Sequence, residues 1–123
     1  MQFDFLICSE RSGSNLMTRI LGTHPDICAP FPRHAIRTFA LNYYKYGDIS
    51  KEKNWECLVR DMDRYINGGF SLWQTKVTAE MIFENVKTHS LAGIIRYIYE
   101  TEATAQHKER VFIKENHADK MLP

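Results

Sequence analysis

Between Cys8 and Asn15 the chain reads Ser-Glu-Arg-Ser-Gly-Ser, a set of residue types suited to gripping a tetrahedral anion. A helix start leaves its first backbone N–H groups unpaired, and the aligned peptide dipoles put partial positive charge there. With Ser12, Gly13, Ser14 and Asn15 wrapped around such an end, their N–H groups converge on a point that suits phosphate or sulfate. Gly13 lets the backbone approach closely, with no side chain in the way. Ser12, Ser14 and Asn15 add side-chain donors, and Arg11 adds a full positive charge on a planar donor fork. The pattern is not that of a nucleotide triphosphatase. GxxxxGK[ST] requires an earlier glycine and a lysine, and neither is in place. An ordinary capping turn has the same composition, so the loop by itself leaves that reading open.

The flanking elements have to present this loop. Phe3 to Cys8 is a short aromatic and aliphatic run that reads as a buried strand. Asn15 to Leu21 carries Leu16, Met17, Ile20 and Leu21 on one helical stripe, with Gly22 where a helix-terminating glycine belongs. THPDICAPFPR, with three prolines, is loop. HAIRTFALNYYKYG predicts a second helix with Ile36, Phe39, Ala40, Tyr43 and Tyr44 on one face and an end at Gly47. From Ser50 to Asn67 a third carries Trp55, Leu58, Val59, Met62, Tyr65 and Ile66 inward, closed by Gly68-Gly69. Thr78 is the expected N-cap of a short helix over 79–87. Ser90 caps another, with Leu91, Ile94, Ile95, Ile98 and Tyr99 facing in. Val111 to Lys114 is the second strand. The order is strand, helices, strand, which implies one long crossover between two parallel strands.

The totals bound what such a chain does. Its 123 residues are 44% apolar and 25% charged, an ordinary globular composition for a single domain. Sixteen Lys plus Arg stand against fifteen Asp plus Glu, a formal charge of +1. That balance argues against a nucleic-acid partner or a polybasic membrane anchor, so an anion site must be local. No run approaches the ~18 apolar residues of a membrane span. MQFDFLIC has neither the basic region nor the long apolar region of a signal peptide. Cys8, Cys28 and Cys57 are sparse and widely spaced, which fits a reduced, cytoplasmic protein and makes zinc improbable.

ICSERSGSNLMTRILGTHPDI, continuous from Ile7 to Ile27, resembles the 5′-phosphosulfate-binding segment of the sulfotransferase family, in its bacterial-type members. In that family a strand runs into Arg/Lys-Ser-Gly-Ser/Thr-x-Leu and then into a helix ending near His-Pro. The resemblance implies an α/β, P-loop-like three-layer fold, here incomplete: a helix-rich chain with a small parallel sheet, the N-terminal portion (1–123) of a single sulfotransferase-like domain. It implies metal-free transfer of the sulfuryl group of 3′-phosphoadenosine 5′-phosphosulfate (PAPS) to a hydroxyl or amine, on a small-molecule or carbohydrate acceptor. Arg11 would touch the 5′-phosphate and the bridging oxygen, with Ser12, Gly13, Ser14 and Asn15 as the N–H cradle. PFPRH would lie near the acceptor entrance. The family's 3′-phosphate contacts, an Arg and a Ser on a later strand and helix, have no counterpart in this sequence. Losing such a charge-assisted contact costs about 2 kcal/mol, about thirtyfold in affinity, so weak binding and slow turnover are expected of the chain alone.

VFIKENHADKMLP resembles the second strand of the same family, whose end carries Lys-x-His or an acidic counterpart. Sulfuryl transfer needs a base for the acceptor proton and a cation for the charge developing on the leaving phosphate. Lys114 is the expected cation, and Glu115 or His117 the expected base. Lys114 and Glu115 point to opposite faces of a strand, so both reach one site only where the strand ends. Two other readings stand beside this one, a non-catalytic anion-binding or interaction module and a Mg-ATP-dependent, kinase-like binder. Self-association through an exposed sheet edge is a further expectation. The remaining residues of interest read more plainly. His24 shapes its turn, Arg33 and His34 lie on the surface at a helix start, and His89 and His107 are exposed. Phe39, Tyr43, Tyr44, Trp55 and Tyr65 read as core, Trp73 as either core or site, and Cys8 as a buried strand residue.

Overall fold

A central strand with a parallel neighbour on each side organises the chain. The computed structural model describes residues 1–8 and 13–116. In chain order the elements are β1 (Gln2–Cys8), α1 (Ser14–Gly22), β2 (Ile27–Cys28) and α2 (Ala35–Ala40). A 3₁₀ turn (Tyr43–Tyr46), α3 (Glu52–Asn67), α4 (Ala79–Asn85), α5 (Leu91–Ala105) and β3 (Arg110–Asn116) follow. The sheet order is β1-β3-β2. β1 pairs with β3 along its whole length, from Gln2 opposite Arg110 to Cys8 opposite Asn116, while β2 pairs only through Ile27 and Cys28. The fold is therefore mixed α/β with a small parallel sheet.

Two expectations about the strands change. The sheet has a third member, β2, whose two residues are too short to register as a periodic run. β1 is an edge strand rather than a buried one, with Phe5 and Ile7 exposed. Its outer edge meets no strand among the described residues. β3 takes the buried place, with Val111 and Ile113 in the core.

The helical half follows the apolar pattern closely. α3 buries Trp55, Leu58, Val59, Met62 and Ile66, and α5 buries Ile94, Ile95, Ile98 and Tyr99. Tyr65, on the same α3 stripe, instead lies at the rim, edge-on to Phe39. The Thr78 hydroxyl accepts from Met81 N–H at 3.4 Å, and the Ser90 hydroxyl from Gly93 N–H at 3.0 Å, so both expected caps are made. Asp63 extends the first of these ends by accepting from Ala79 N–H at 2.7 Å. Glu102 is fully buried in α5. Its carboxylate accepts from the backbone N–H groups of Gln74 and Thr75, the Thr75 hydroxyl and the Gln106 amide. One buried acid thereby fastens the 74–75 loop to the core.

Three helical expectations are corrected. The second helix breaks: α2 stops at Ala40, a 3₁₀ turn follows, and Tyr43 and Tyr44 are exposed. Asn42 explains the break, since its amide donates to Thr38 O at 2.8 Å and diverts a carbonyl of the last turn. α4 ends at Asn85, whose amide takes Met81 O in the same way at 2.9 Å. In α1 the apolar stripe faces outward, with Leu16 63% and Ile20 59% exposed. Ser14 and Thr18 face inward, and the Thr18 hydroxyl closes on Ser14 O at 2.8 Å. No described helix is long and apolar enough to cross a membrane.

Candidate functional site

α1 begins where β1 ends, beside the C-terminal end of β3, the place where open parallel sheets present ligands. Gly13 is the N-cap, in the left-handed region at φ 81°. A β-carbon there would have open space around it but a strained backbone, so conformation alone calls for glycine. Having no side chain, Gly13 cannot cap, and among the described residues no acceptor meets the amides of Ser14, Asn15 and Leu16. Ser14 is buried and Asn15 exposed. Arg11, Ser12 and His117 lie outside the described residues.

Lys114 reaches this end of α1 from the sheet. It is only 5% exposed, and its ammonium donates to Asn15 Oδ1 at 2.8 Å. A lysine on the central strand thus brings a full positive charge to the first turn of a helix whose dipole already favours anions. Beside Asn15 opens a cavity of about 490 Å³, bordered by Thr18 and Arg19 of α1 and by Ala29 to Pro32. The proline segment expected near an acceptor therefore shares a cavity with the helix start.

Glu115, the next residue, points to the other face. It is 2% exposed, and the N–H of Ile36 donates to its Oε1 at 3.1 Å. Its Oε2 lies 3.4 Å from His34 Nδ1. The strand does not end between Lys114 and Glu115 but runs on to Asn116, so the two side chains go to opposite sides of the sheet. Burial pushes the neighbouring Tyr99 phenol well above its ordinary value, and the charge of Glu115 pushes it further.

Arg33 is not a free surface cation. Its guanidinium donates to Ile66 O and the Ser71 hydroxyl and lies 4.5 Å from the centre of the Trp73 ring. Burial lowers its pKa, with Glu102 opposing the shift. Trp73 in turn donates from its indole to Phe31 O at 2.7 Å and packs edge-on to Tyr99. Arg33 and Trp73 together hold the 30–34 segment against the loop after α3. His24 accepts from Asp26 N–H and shapes its turn as expected, and His107 is exposed. His89 is a correction, being half-buried, stacked on Trp55 at 4.5 Å with its Nδ1 2.9 Å from Ile49 O.

His34 and Glu102 carry structural weight that the sequence did not signal. A lone histidine after Pro-Arg and a single acid within an apolar helix have no periodic signature. Among the described residues no group of three or more His, Cys, Asp and Glu is placed to hold a metal ion. Comparison of the chain with protein-family models, curated proteins and solved structures finds no match in any of the three.

Proposed function

We propose that the chain binds a sulfated adenine nucleotide where α1 begins and serves sulfuryl transfer from PAPS to a hydroxyl or amine acceptor. The observation that carries this reading is the buried Lys114 held by its ammonium on Asn15, at the mouth of a helix whose first amides meet no acceptor among the described residues. Gly13, Ser14 and Asn15 supply the backbone cradle, with Arg11 and Ser12 completing it on the 5′-phosphate. Lys114 stabilises the negative charge that grows on the leaving phosphate oxygen. The cavity beside Asn15 receives a small-molecule or carbohydrate acceptor. A lysine reaching the site from the strand, in place of one in the loop, also fits a donor that is not handled as a magnesium triphosphate.

Thermal unfolding with millimolar adenosine 3′,5′-bisphosphate in EDTA tests the proposal. A ligand at a hundred times its Kd stabilises the folded state by about 2.7 kcal/mol, an easily measured rise in Tm. The expected result is stabilisation without magnesium and none by Mg-ATP. A shift with Mg-ATP alone favours the kinase-like reading, and no shift with either nucleotide leaves an interaction module.

A further inference from the structure

β1 meets β3 along one edge, and its other edge meets no strand among the described residues. Natural edge strands are blunted by shortness, bulges, Lys or Pro. β1 has none of these: it is seven residues long, reads QFDFLIC and pairs with β3 one for one. Its one charge, on Asp4, is already matched by Arg110 of the same chain. Beside this edge both faces of the sheet are apolar. Phe5 and Ile7 share the face of Ile113 and Glu115, where a cavity of about 450 Å³ opens between β1 and Leu91, Ile95 and Arg96 of α5. On the other face, Asn15 and Arg19 of α1 border the cavity beside the proline segment, so the helical period turns Leu16, Met17 and Ile20 to the flank toward β1. The side chains of Phe5, Ile7, Leu16, Met17 and Ile20 are 45% to 63% exposed.

We infer that the β1 edge is the interface of a symmetric dimer of this chain, with β1 of one copy antiparallel to β1 of the other. The strand is self-complementary about Phe5, the one centre that pairs all seven residues. Phe5 then stands opposite Phe5, Phe3 opposite Ile7, Asp4 opposite Leu6 and Gln2 opposite Cys8 of the other copy. No like charges meet, and Phe3, Phe5 and Ile7 oppose one another on a single face. A two-fold axis normal to the sheet joins the copies into six strands and keeps each face on its own side. The two cavities open toward the axis on one face, and the two α1 stripes turn toward it on the other. Small parallel sheets are stable when covered on both faces, and this one contact covers both. Five half-exposed side chains of this size leave roughly 500 Å² of apolar surface per copy. With the strand backbone and the cavity walls added, that approaches the ~800 Å² per partner of a standard interface. A formal charge of +1 sets up little repulsion between copies. The two α1 starts lie at opposite ends of the joined sheet, clear of the contact, so the inference stands apart from the nucleotide reading.

Sedimentation velocity of the whole chain from ~1 to ~100 μM tests this. The mass should rise with concentration from that of one chain to that of two. Phe5→Lys sets an ammonium against its own copy across the axis and should raise the dimer Kd about tenfold or more. Its circular dichroism should match wild type, because Phe5 is 58% exposed and fills no core space. Phe70→Lys, at a residue 90% exposed in the loop after α3, is the control and should leave the Kd unchanged. Gln2→Cys reads the register independently. Positions 2 and 8 of one strand lie roughly 20 Å apart, so a disulfide between them can only join two copies. Mild oxidation should give that bond, located by mass mapping, and the oxidised protein should run as a covalent dimer. A wild type that stays monomeric at ~100 μM overturns the inference and leaves the edge to a strand of a different protein. A dimer indifferent to Phe5→Lys, or one in which position 2 bonds elsewhere than Cys8, overturns it as well.

Discussion

Replacing Lys114 with Met removes the ammonium and keeps most of the buried stem. Lys114 is 5% exposed, and its ammonium is held on Asn15 Oδ1 at 2.8 Å. A hydrogen bond to a charged group contributes about 1.5–3 kcal/mol, but burying the charge costs several kcal/mol in desolvation. A flexible apolar side chain of similar length returns much of that cost, so the urea midpoint should change little. Nucleotide binding has no such compensation. Losing a charge-assisted contact to the anion should cost about 2 kcal/mol, about thirtyfold in Kd. Calorimetric titration with adenosine 3′,5′-bisphosphate in EDTA reads the first quantity, and urea unfolding the second. Lys53→Met, on the exposed side of α3, is the control and should leave both unchanged. An unchanged Kd together with a fallen midpoint would show that Lys114 only ties α1 to the sheet.

Three more outcomes follow from the same packing. Glu102→Ala removes the acceptor of the part-buried amides of Gln74 and Thr75 and should lower stability by about 1–3 kcal/mol, read as a fall in urea midpoint at constant slope. A loss below about 1 kcal/mol would mean that the 74–75 loop finds other partners. Cys28 is fully buried, and its thiol is pushed up to about 11 by burial and then by the Glu102 charge. Iodoacetamide at pH 8 should therefore label exposed Cys57 and spare Cys28 until urea unfolds the chain; equal labelling rates by mass mapping would contradict the buried position. The Arg110 hydrogen bond holds Asp4 below its ordinary 3.8, so the folded state binds this proton less readily than the unfolded chain. The resulting stability is present above pH 3.8 and is lost as pH falls through the lowered folded value. Asp4→Asn should thus be less stable than wild type at neutral pH and converge with it toward low pH, and the gap should shrink in 1 M salt. A gap that widens on acidification refutes the assignment.

What the sequence made legible, and what it hid, divides by mechanism. The α3 stripe and the Thr78 and Ser90 caps were readable because period, cap hydroxyl and glycine stop all agree there. α1 misled because amphipathicity locates an apolar face without saying which face the sheet meets. Ser14 and Thr18 pack inward by satisfying each other, so the polar side is the buried one. The break after Ala40 turns on a single Asn42 amide, an effect that leaves the apolar pattern of Tyr43 and Tyr44 intact. β2 is two residues long and depends wholly on β3 for its definition. At the site, Gly13, Ser14, Asn15 and Lys114 were all named from the chain, and Lys114 does meet Asn15. The partnership of His34 with Glu115, 81 residues apart, could not be read, because only the passage of 29–34 alongside β3 brings them together.

The parity of β3 decides what each face of the sheet receives. Successive strand residues face opposite ways, so Lys114 is delivered to α1 and Glu115 to the start of α2. A slip of one residue would exchange them, leaving a carboxylate at the start of α1 and an ammonium buried against His34. The register is held by Val111 and Ile113, which share the parity of Glu115 and are buried in the core. The core residues that stabilise the sheet thereby also decide which side of it carries the buried cation and which the buried carboxylate. The 30–34 segment, pinned through Arg33 and Trp73, holds His34 in its left-handed backbone beside Glu115. Trp73 and Arg33 thus act on the His34–Glu115 contact by fixing the path of the chain that carries His34.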